Sequence, residues 1–189
     1  MAPSRPSLLL LRHGIAEERQ EGRADGERAL TAAGRRRTAA MLEKAVALGL
    51  GVERLIASPL VRARQTAEIG VAVRLAPALE LATALEPGGD PLPLLATWLA
   101  PDGATNSLRP SPQSLALVGH EPDLGDLASR LLGAPAGSIR LRKAGLALLE
   151  WAGPGSLAPS APETGMVLAR SDLGQWQLQL LLAPRILLT

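Results

Sequence analysis

Cysteine, phenylalanine and tyrosine are all absent from the 189-residue chain, and histidine occurs only twice. Without cysteine there can be no disulfide, no thiolate nucleophile and no Cys-ligated metal. Three Trp are the only large aromatic side chains. That leaves no stacking platform for single-stranded nucleic acid, so no nucleic-acid partner is expected. Leu, Val, Ile and Ala must fill the interior. A charge excess is missing too: 20 basic against 18 acidic residues leave a net charge of +2, too little to imply a polyanionic partner. No apolar run approaches the length of a membrane span. Ser7-Leu8-Leu9-Leu10-Leu11 is cut short by Arg12-His13, too soon for the apolar region of a secretory signal. The expectation is a soluble, cytoplasmic protein.

Hydrophobic residues make up 47% and charged residues 20%. This is enough apolar material for one core, and the length fits one domain over 1–189. Of the basic residues only Lys44 and Lys143 are lysine. The wealth of Arg, Ala, Gly and Pro fits a GC-rich genome, but Arg is also the better residue for a forked grip on phosphate.

Residues 7–12 form a short apolar run ending in Arg-His-Gly, which fits a fully buried strand. Residues 1–6 before it are expected to be flexible, and the charged stretch 15–29 to be a loop. Thr31 is placed to cap a helix over about 32–48, whose Met41, Leu42, Ala45, Val46 and Leu48 recur at helical spacing. A second buried strand is expected at 55–58, with Pro59 opening a helix over about 60–70. The apolar stretch 71–85 is ambiguous and could hold a third strand. A helix is expected at 90–100, a strand at 114–120 ending in Gly-His, and a helix at 122–132. The segment 139–151 reads as a strand or hairpin, with further strands near 165–170 and 175–182. The Pro-, Gly- and Ser-rich stretches 101–113 and 152–164 read as exposed loops. Strands alternating with helices imply an α/β fold: a three-layer sandwich with a mostly parallel central sheet, helices on both faces and antiparallel C-terminal edge strands.

Both histidines, His13 and His120, directly follow a buried strand. In such sheets ligands bind beyond the carboxyl ends of the strands, so the two are expected to share a site. A zinc site would need further ligands, and no His-x-x-x-His pair is present. There is no Gly-x-Ser-x-Gly elbow and no Gly-x-x-x-x-Gly-Lys loop. Phosphoryl transfer fits better. A phosphoryl dianion needs positive charge and fixed donors around its oxygens. Arg12 adjoins His13, and Arg62 lies at the start of a helix, where free N–H groups also favour anions. His13 could then attack phosphorus, with His120 as a further donor. Arg64 competes with Arg62, but two residues along a helix it points elsewhere and reads as solvated. The run Arg35-Arg36-Arg37 also reads as a solvated helix face.

Leu10-Leu11-Arg12-His13-Gly14 resembles the signature of the histidine phosphatase (phosphoglycerate mutase-like) superfamily. Ala57-Ser58-Pro59-Leu60-Val61-Arg62-Ala63-Arg64-Gln65-Thr66-Ala67 resembles its second motif, and Val118-Gly119-His120-Glu121-Pro122-Asp123 its third. Arg-His-Gly alone is a weak signal, but three motifs in order, each after a strand, are a strong one. The short chain is most similar to SixA-type phosphohistidine phosphatases. Pro87-Gly88-Gly89-Asp90-Pro91, Arg142-Lys143-Ala144-Gly145-Leu146-Ala147 and the ending from Trp176 to Leu188 carry that likeness. The resemblance implies an α/β sandwich, no metal or other cofactor, and a phosphohistidine intermediate at His13, with Arg12, Arg62 and His120 holding the phosphoryl group.

Larger members of the family protonate the leaving group with a carboxylic acid. Glu86 is the closest positional candidate here. Asp90 reads better as a helix N-cap, and Glu17 and Glu18 are further options. The leading expectation is a phosphatase acting on phosphohistidine in a protein partner, such as a phosphorelay histidine domain. The alternative is a small-molecule phosphomonoesterase, acting on a sugar phosphate or similar ester with the same residues. A mutase is disfavoured for want of an inserted lid. A non-catalytic phosphate-binding module would keep the arginines but have no use for His13.

Overall fold

The computed structural model describes residues 6–99, 113–152 and 174–187. Among these residues six strands form one sheet: β1 (Ser7–Arg12), β2 (Arg54–Ala57), β3 (Glu80–Leu81), β4 (Ser114–Gly119), β5 (Leu146–Trp151) and β6 (Trp176–Leu182). Their order is β3-β2-β4-β1-β5-β6. The first four in that order run parallel, and β5 and β6 add antiparallel pairs at one side. Helices α1 (Ala32–Ala47), α2 (Val61–Ala72), α3 (Leu92–Leu99) and α4 (Asp123–Leu131) make the crossovers, and a helical turn, α5 (Pro184–Leu187), follows β6.

Side chains alternate across a strand, and β1 divides its four leucines accordingly. Leu8 and Leu10 join Leu95, Leu117 and Leu124 on one face of the sheet. Leu9 and Leu11 join Met41, Leu42 and Ala63 on the other. All four are fully buried, each contributing roughly 1.5–3 kcal/mol of hydrophobic stabilisation. Burial on both faces explains why this strand is one unbroken apolar run. In α1, Thr31 Oγ1 accepts from the Gly34 amide at 2.9 Å, the expected cap.

Several elements differ from the sequence reading. The region 71–85 holds only the two-residue β3, on the exposed sheet edge, then a 3₁₀ turn at Thr83–Leu85. Pro59 precedes α2 by two residues instead of opening it, because Ser58 Oγ accepts from the Leu60 amide and extends the turn. Of 139–151 only Leu146–Trp151 is strand. The charged loop after β1 includes a 3₁₀ turn at Asp25–Glu27. Asp90 Oδ1 accepts from the Leu92 amide at 3.1 Å, a capping contact at the start of α3. The strand expected near 165–170 and the loop over 101–112 lie outside the described residues, as do residues 1–5 and the loop from 153 onward.

Gly34 shows why α1 can sit so close to the loop after β1. A Cβ there would stand 2.0 Å from the carbonyl oxygen of Ile15. Ala in a helix interior normally gains about 1 kcal/mol over Gly, but this clash is with backbone and cannot be relieved by a rotamer. Gly34→Ala should therefore destabilise the protein by about 2 kcal/mol or more, read as a lower urea midpoint at unchanged slope. A raised midpoint would contradict this packing.

Candidate active site

Strands β1, β4 and β2 end side by side at their carboxyl termini. Arg12 is in register with Gly119, and Ala57 with Val118. The His13 amide then donates to the Gly119 carbonyl at 3.1 Å, and the Ser58 amide to the Val118 carbonyl at 2.9 Å. Three consecutive strand ends thus place His13, His120 and Ser58 at one level. The two imidazoles lie 5.1 Å apart, centroid to centroid, and both are buried.

His13 Nδ1 lies 2.7 Å from the carbonyl oxygen of Gly14. A carbonyl only accepts, so Nδ1 carries the proton and Nε2 keeps its lone pair. Burial pushes the His13 pKa down to about 3, against a partial opposing effect of the Gly14 bond; His120, Arg62 and Arg12 push it further down. His120 is lowered to about 4, mainly by burial and then by Arg62. Both rings are neutral near pH 7. Ser58 Oγ sits 3.0 Å from His120 Nε2 and accepts from the Leu60 amide at 3.3 Å. Its hydroxyl can donate to Nε2, the arrangement in which His120 carries its proton on Nδ1, or accept from it in the other tautomer.

Arg62 is buried at the start of α2. Its Nη1 donates to the Asp25 carbonyl at 2.7 Å, and its Nη2 pairs with Asp25 Oδ2 at 3.0 Å. Partial burial pushes the Asp25 carboxyl up, but Arg19, Arg62 and Arg28 outweigh it and hold it below the ordinary carboxylate range. Arg12 donates from Nη1 to the Leu141 carbonyl at 2.9 Å. Thr66 joins the halves of the site: it accepts from the Gly14 amide at 3.0 Å and donates to the Arg62 carbonyl at 2.7 Å. A Cβ at Gly14 would stand 2.3 Å from Thr38 Oγ1, so a larger residue there would force the buried Thr38 to shift.

Three buried nitrogens here have no hydrogen-bond partner among the described residues: Arg12 Nε, Arg62 Nε and His120 Nδ1. Leaving such a group unsatisfied costs roughly 1–3 kcal/mol. Each belongs to a residue that the sequence marks as a phosphoryl ligand. The 5.1 Å between the histidine rings and the Thr66 bridge from Arg62 to Gly14 bring these residues to the same end of the sheet.

Other candidates fare differently. Glu86 is half-buried and follows Leu85, whose carbonyl oxygen lies near Gly119 at the end of β4. Glu17 is tied to Arg23 and to the Ala29 amide, and Glu18 is exposed. Arg64 is exposed and pairs with Glu68. Asp25, Ser58, Thr66 and Glu121 carried no assigned role in the sequence reading. Ser58 and Thr66 lie within the second motif and Glu121 within the third. Nothing local marks Asp25.

The arrangement is suited to holding a tetrahedral oxyanion against a neutral imidazole. The comparisons agree. The sequence profile of the histidine phosphatase superfamily (branch 1) matches residues 8–85. An uncharacterized protein of Picosynechococcus sp. is 40% identical over 145 residues, covering 74% of this chain and 81% of its own. The structure of the protein histidine phosphatase SixA with tungstate superposes with a TM-score of 0.67 at 23% identity, covering 96% of this chain and 99% of that one. A mycobacterial glucosyl-3-phosphoglycerate phosphatase gives a TM-score of 0.62 at 17% identity, covering 92% and 97%. The chain belongs to the histidine phosphatase superfamily, and its class of activity is that of a phosphatase.

The two depressed histidines have a consequence for stability. In the unfolded chain each titrates near 6.5, so below neutrality the unfolded state binds protons that the native state refuses. Stability is therefore complete above about pH 7 and falls as pH drops towards 4, by up to about 1.4 kcal/mol per pH unit for each histidine. Urea midpoints in phosphate-free buffer at pH 7.5 and 5 should show this fall. A His13→Asn/His120→Asn chain should show a shallower one.

Proposed function

We propose that the protein hydrolyses phosphohistidine on a partner protein through a covalent intermediate at His13. The observation that carries this reading is the set of unpaired nitrogens on Arg12, Arg62 and His120 around a histidine held neutral. A phosphoryl group held there would take charge-assisted bonds from the guanidiniums. Nε2 of His13 attacks phosphorus as the P–N bond of the substrate breaks. The departing imidazole leaves neutral when its other nitrogen already carries a proton. Water then adds to phosphorus, the P–Nε2 bond breaks, and the water's proton goes to the phosphate released.

The leaving group decides between substrates. Free imidazole has a pKa of about 6.5 and departs without help, whereas an alkoxide needs a positioned acid worth about 10²–10⁴-fold. Two carboxylates near the site are engaged with other groups, Asp25 with arginines and Glu121 with the Leu141 amide. The fold likeness to SixA supports the same reading. The alternative, a small-molecule phosphomonoesterase, is favoured by the half-buried Glu86 near the end of β4 and by the likeness to a glucosyl-3-phosphoglycerate phosphatase.

Turnover should be faster on phosphohistidine protein than on alkyl phosphate monoesters. His13→Ala should lower kcat by at least about 10³-fold with an unchanged circular dichroism spectrum. Labelled substrate should leave an acid-labile, base-stable adduct on the wild type alone. Glu86→Gln should slow ester hydrolysis more than phosphohistidine hydrolysis. If sugar phosphates are turned over faster and Glu86→Gln slows both reactions equally, the small-molecule reading replaces this one.

A further inference from the structure

Beside the active site lies an open cleft of about 440 Å³, bordered by five cations: Arg12, Arg37, Arg142, Lys143 and Arg185. Among the described residues no acidic side chain lines it; Ile15, Ala183 and Pro184 complete the wall. In a chain of net charge +2 this is a local concentration of one sign. Arg37, Arg142, Lys143 and Arg185 are exposed and make no ion pair among the described residues, whereas six other arginines do. The cations come from four separate places: the end of β1, α1, the loop before β5, and α5. Arg37 belongs to a run that its sequence marks only as solvated, yet it faces this cleft.

The loop that presents Arg142 and Lys143 is fixed relative to His13. The Ala144 amide donates to the carbonyls of both Arg12 and His13, at 3.2 and 3.1 Å. Ala144 adopts φ 58° to do so, a left-handed conformation costing roughly 1–2 kcal/mol for a residue with a Cβ. The Gly145 amide closes the turn on the Arg142 carbonyl at 2.7 Å, and the Arg12 amide donates to the Gly145 carbonyl at 3.1 Å. On the far side, Glu121 Oε1 accepts from the Leu141 amide, and the Leu141 carbonyl holds Arg12. One short segment therefore fastens both the phosphoryl-facing arginine and the cleft's cations.

We infer that this cleft receives acidic side chains of the phosphoprotein substrate, next to its phosphohistidine. The inference rests on the phosphohistidine reading and adds a specificity to it. Exposed, hydrated cations suit a broad acidic surface better than a small bisphosphate. A small ligand would be held by desolvated donors, and of the five only Arg12 is even half-buried. Such charges act mainly on encounter and orientation, so the effect belongs in kcat/KM and not in kcat.

The test compares two phosphohistidine peptides, one flanked by Asp and Glu, the other by Ser and Gln at the same positions. At low ionic strength the wild type should favour the acidic peptide by about tenfold in kcat/KM, and the preference should shrink in 1 M salt, where screening acts within about 3 Å. Lys143→Ser/Arg185→Ser should erase the preference while keeping kcat on the neutral peptide. Arg36→Ser removes an exposed charge from the same helix as Arg37 but outside the cleft, and should retain the preference. The inference fails if the wild type shows no preference, if the preference survives the double variant, or if Arg36→Ser removes it equally. A preference absent for peptides but seen for a small bisphosphate over a monophosphate, and erased by the double variant, overturns the protein-docking assignment. Hydrolysis of esters with neither peptide turned over overturns the phosphohistidine reading itself, and the inference with it.

Discussion

The His13 amide donates to the Gly119 carbonyl, and the site depends on the register which that bond completes. It sets the ends of β1 and β4 level, so that the residue after each strand is a histidine on the same rim. β1 could not fix this alignment by its own pattern. Four consecutive leucines present equal hydrophobicity to both faces, and a one-residue slip, which would exchange the faces, would cost them little. The partner strand is less symmetrical. β4 sends Leu115 and Leu117 to one face and Ala116 and Val118 to the other, where α1 and α2 need closer approach. The remaining specification comes from the strand ends, where Ala144, Gly145 and Gly119 hold the backbone of Arg12 and His13.

Much of the site was legible because its chemistry is local in sequence. Arg12-His13-Gly14 and Gly119-His120 each end an apolar run that could only be a buried strand, and parallel strands bring their terminal residues to one rim. The partners that tune these residues were not legible, since each lies far along the chain. Asp25 meets Arg62 across 37 residues, Ser58 meets His120 across 62, and Thr66 meets Gly14 across 52. An acid in a charged loop carries no mark of the arginine it will pair with. The same reasoning covers the misread elements. A two-residue edge strand such as β3 has too few residues to show a period, and the start of α2 is moved by a side-chain bond from Ser58 that propensity does not encode. Arg37 is exposed, as its run of arginines suggests, but only the placement of α5 and the loop before β5 turns its exposure into part of a basic wall.

Energetically the site opposes the fold. The left-handed Ala144 costs roughly 1–2 kcal/mol, and burying two guanidiniums and two imidazoles adds a desolvation cost. Two unbroken apolar layers against the sheet can carry that cost, because a few fully buried leucines return as much. Leucine and alanine suffice for this beneath the site. The three Trp cluster elsewhere: Trp176 packs against Trp98 and Trp151 on one side of the sheet.

The carboxylates near the two arginines have a further effect on the proposed chemistry. A buried guanidinium with no counter-charge would be expensive, and a site with two of them would hold any phosphate tightly. Uniformly tight binding favours the product as much as the transition state and does not raise kcat. Here Asp25 takes the Nη groups of Arg62 and leaves Nε unpaired, while Glu121 lies close enough to act on Arg12. Each arginine is thus partly neutralised, and its Nε–H has no partner among the described residues. The two histidines add no charge, since burial keeps both neutral. The phosphoryl group therefore meets directed donors in a field weakened by neighbouring acids. Direction favours the geometry of transfer, and the weakened field lets inorganic phosphate leave.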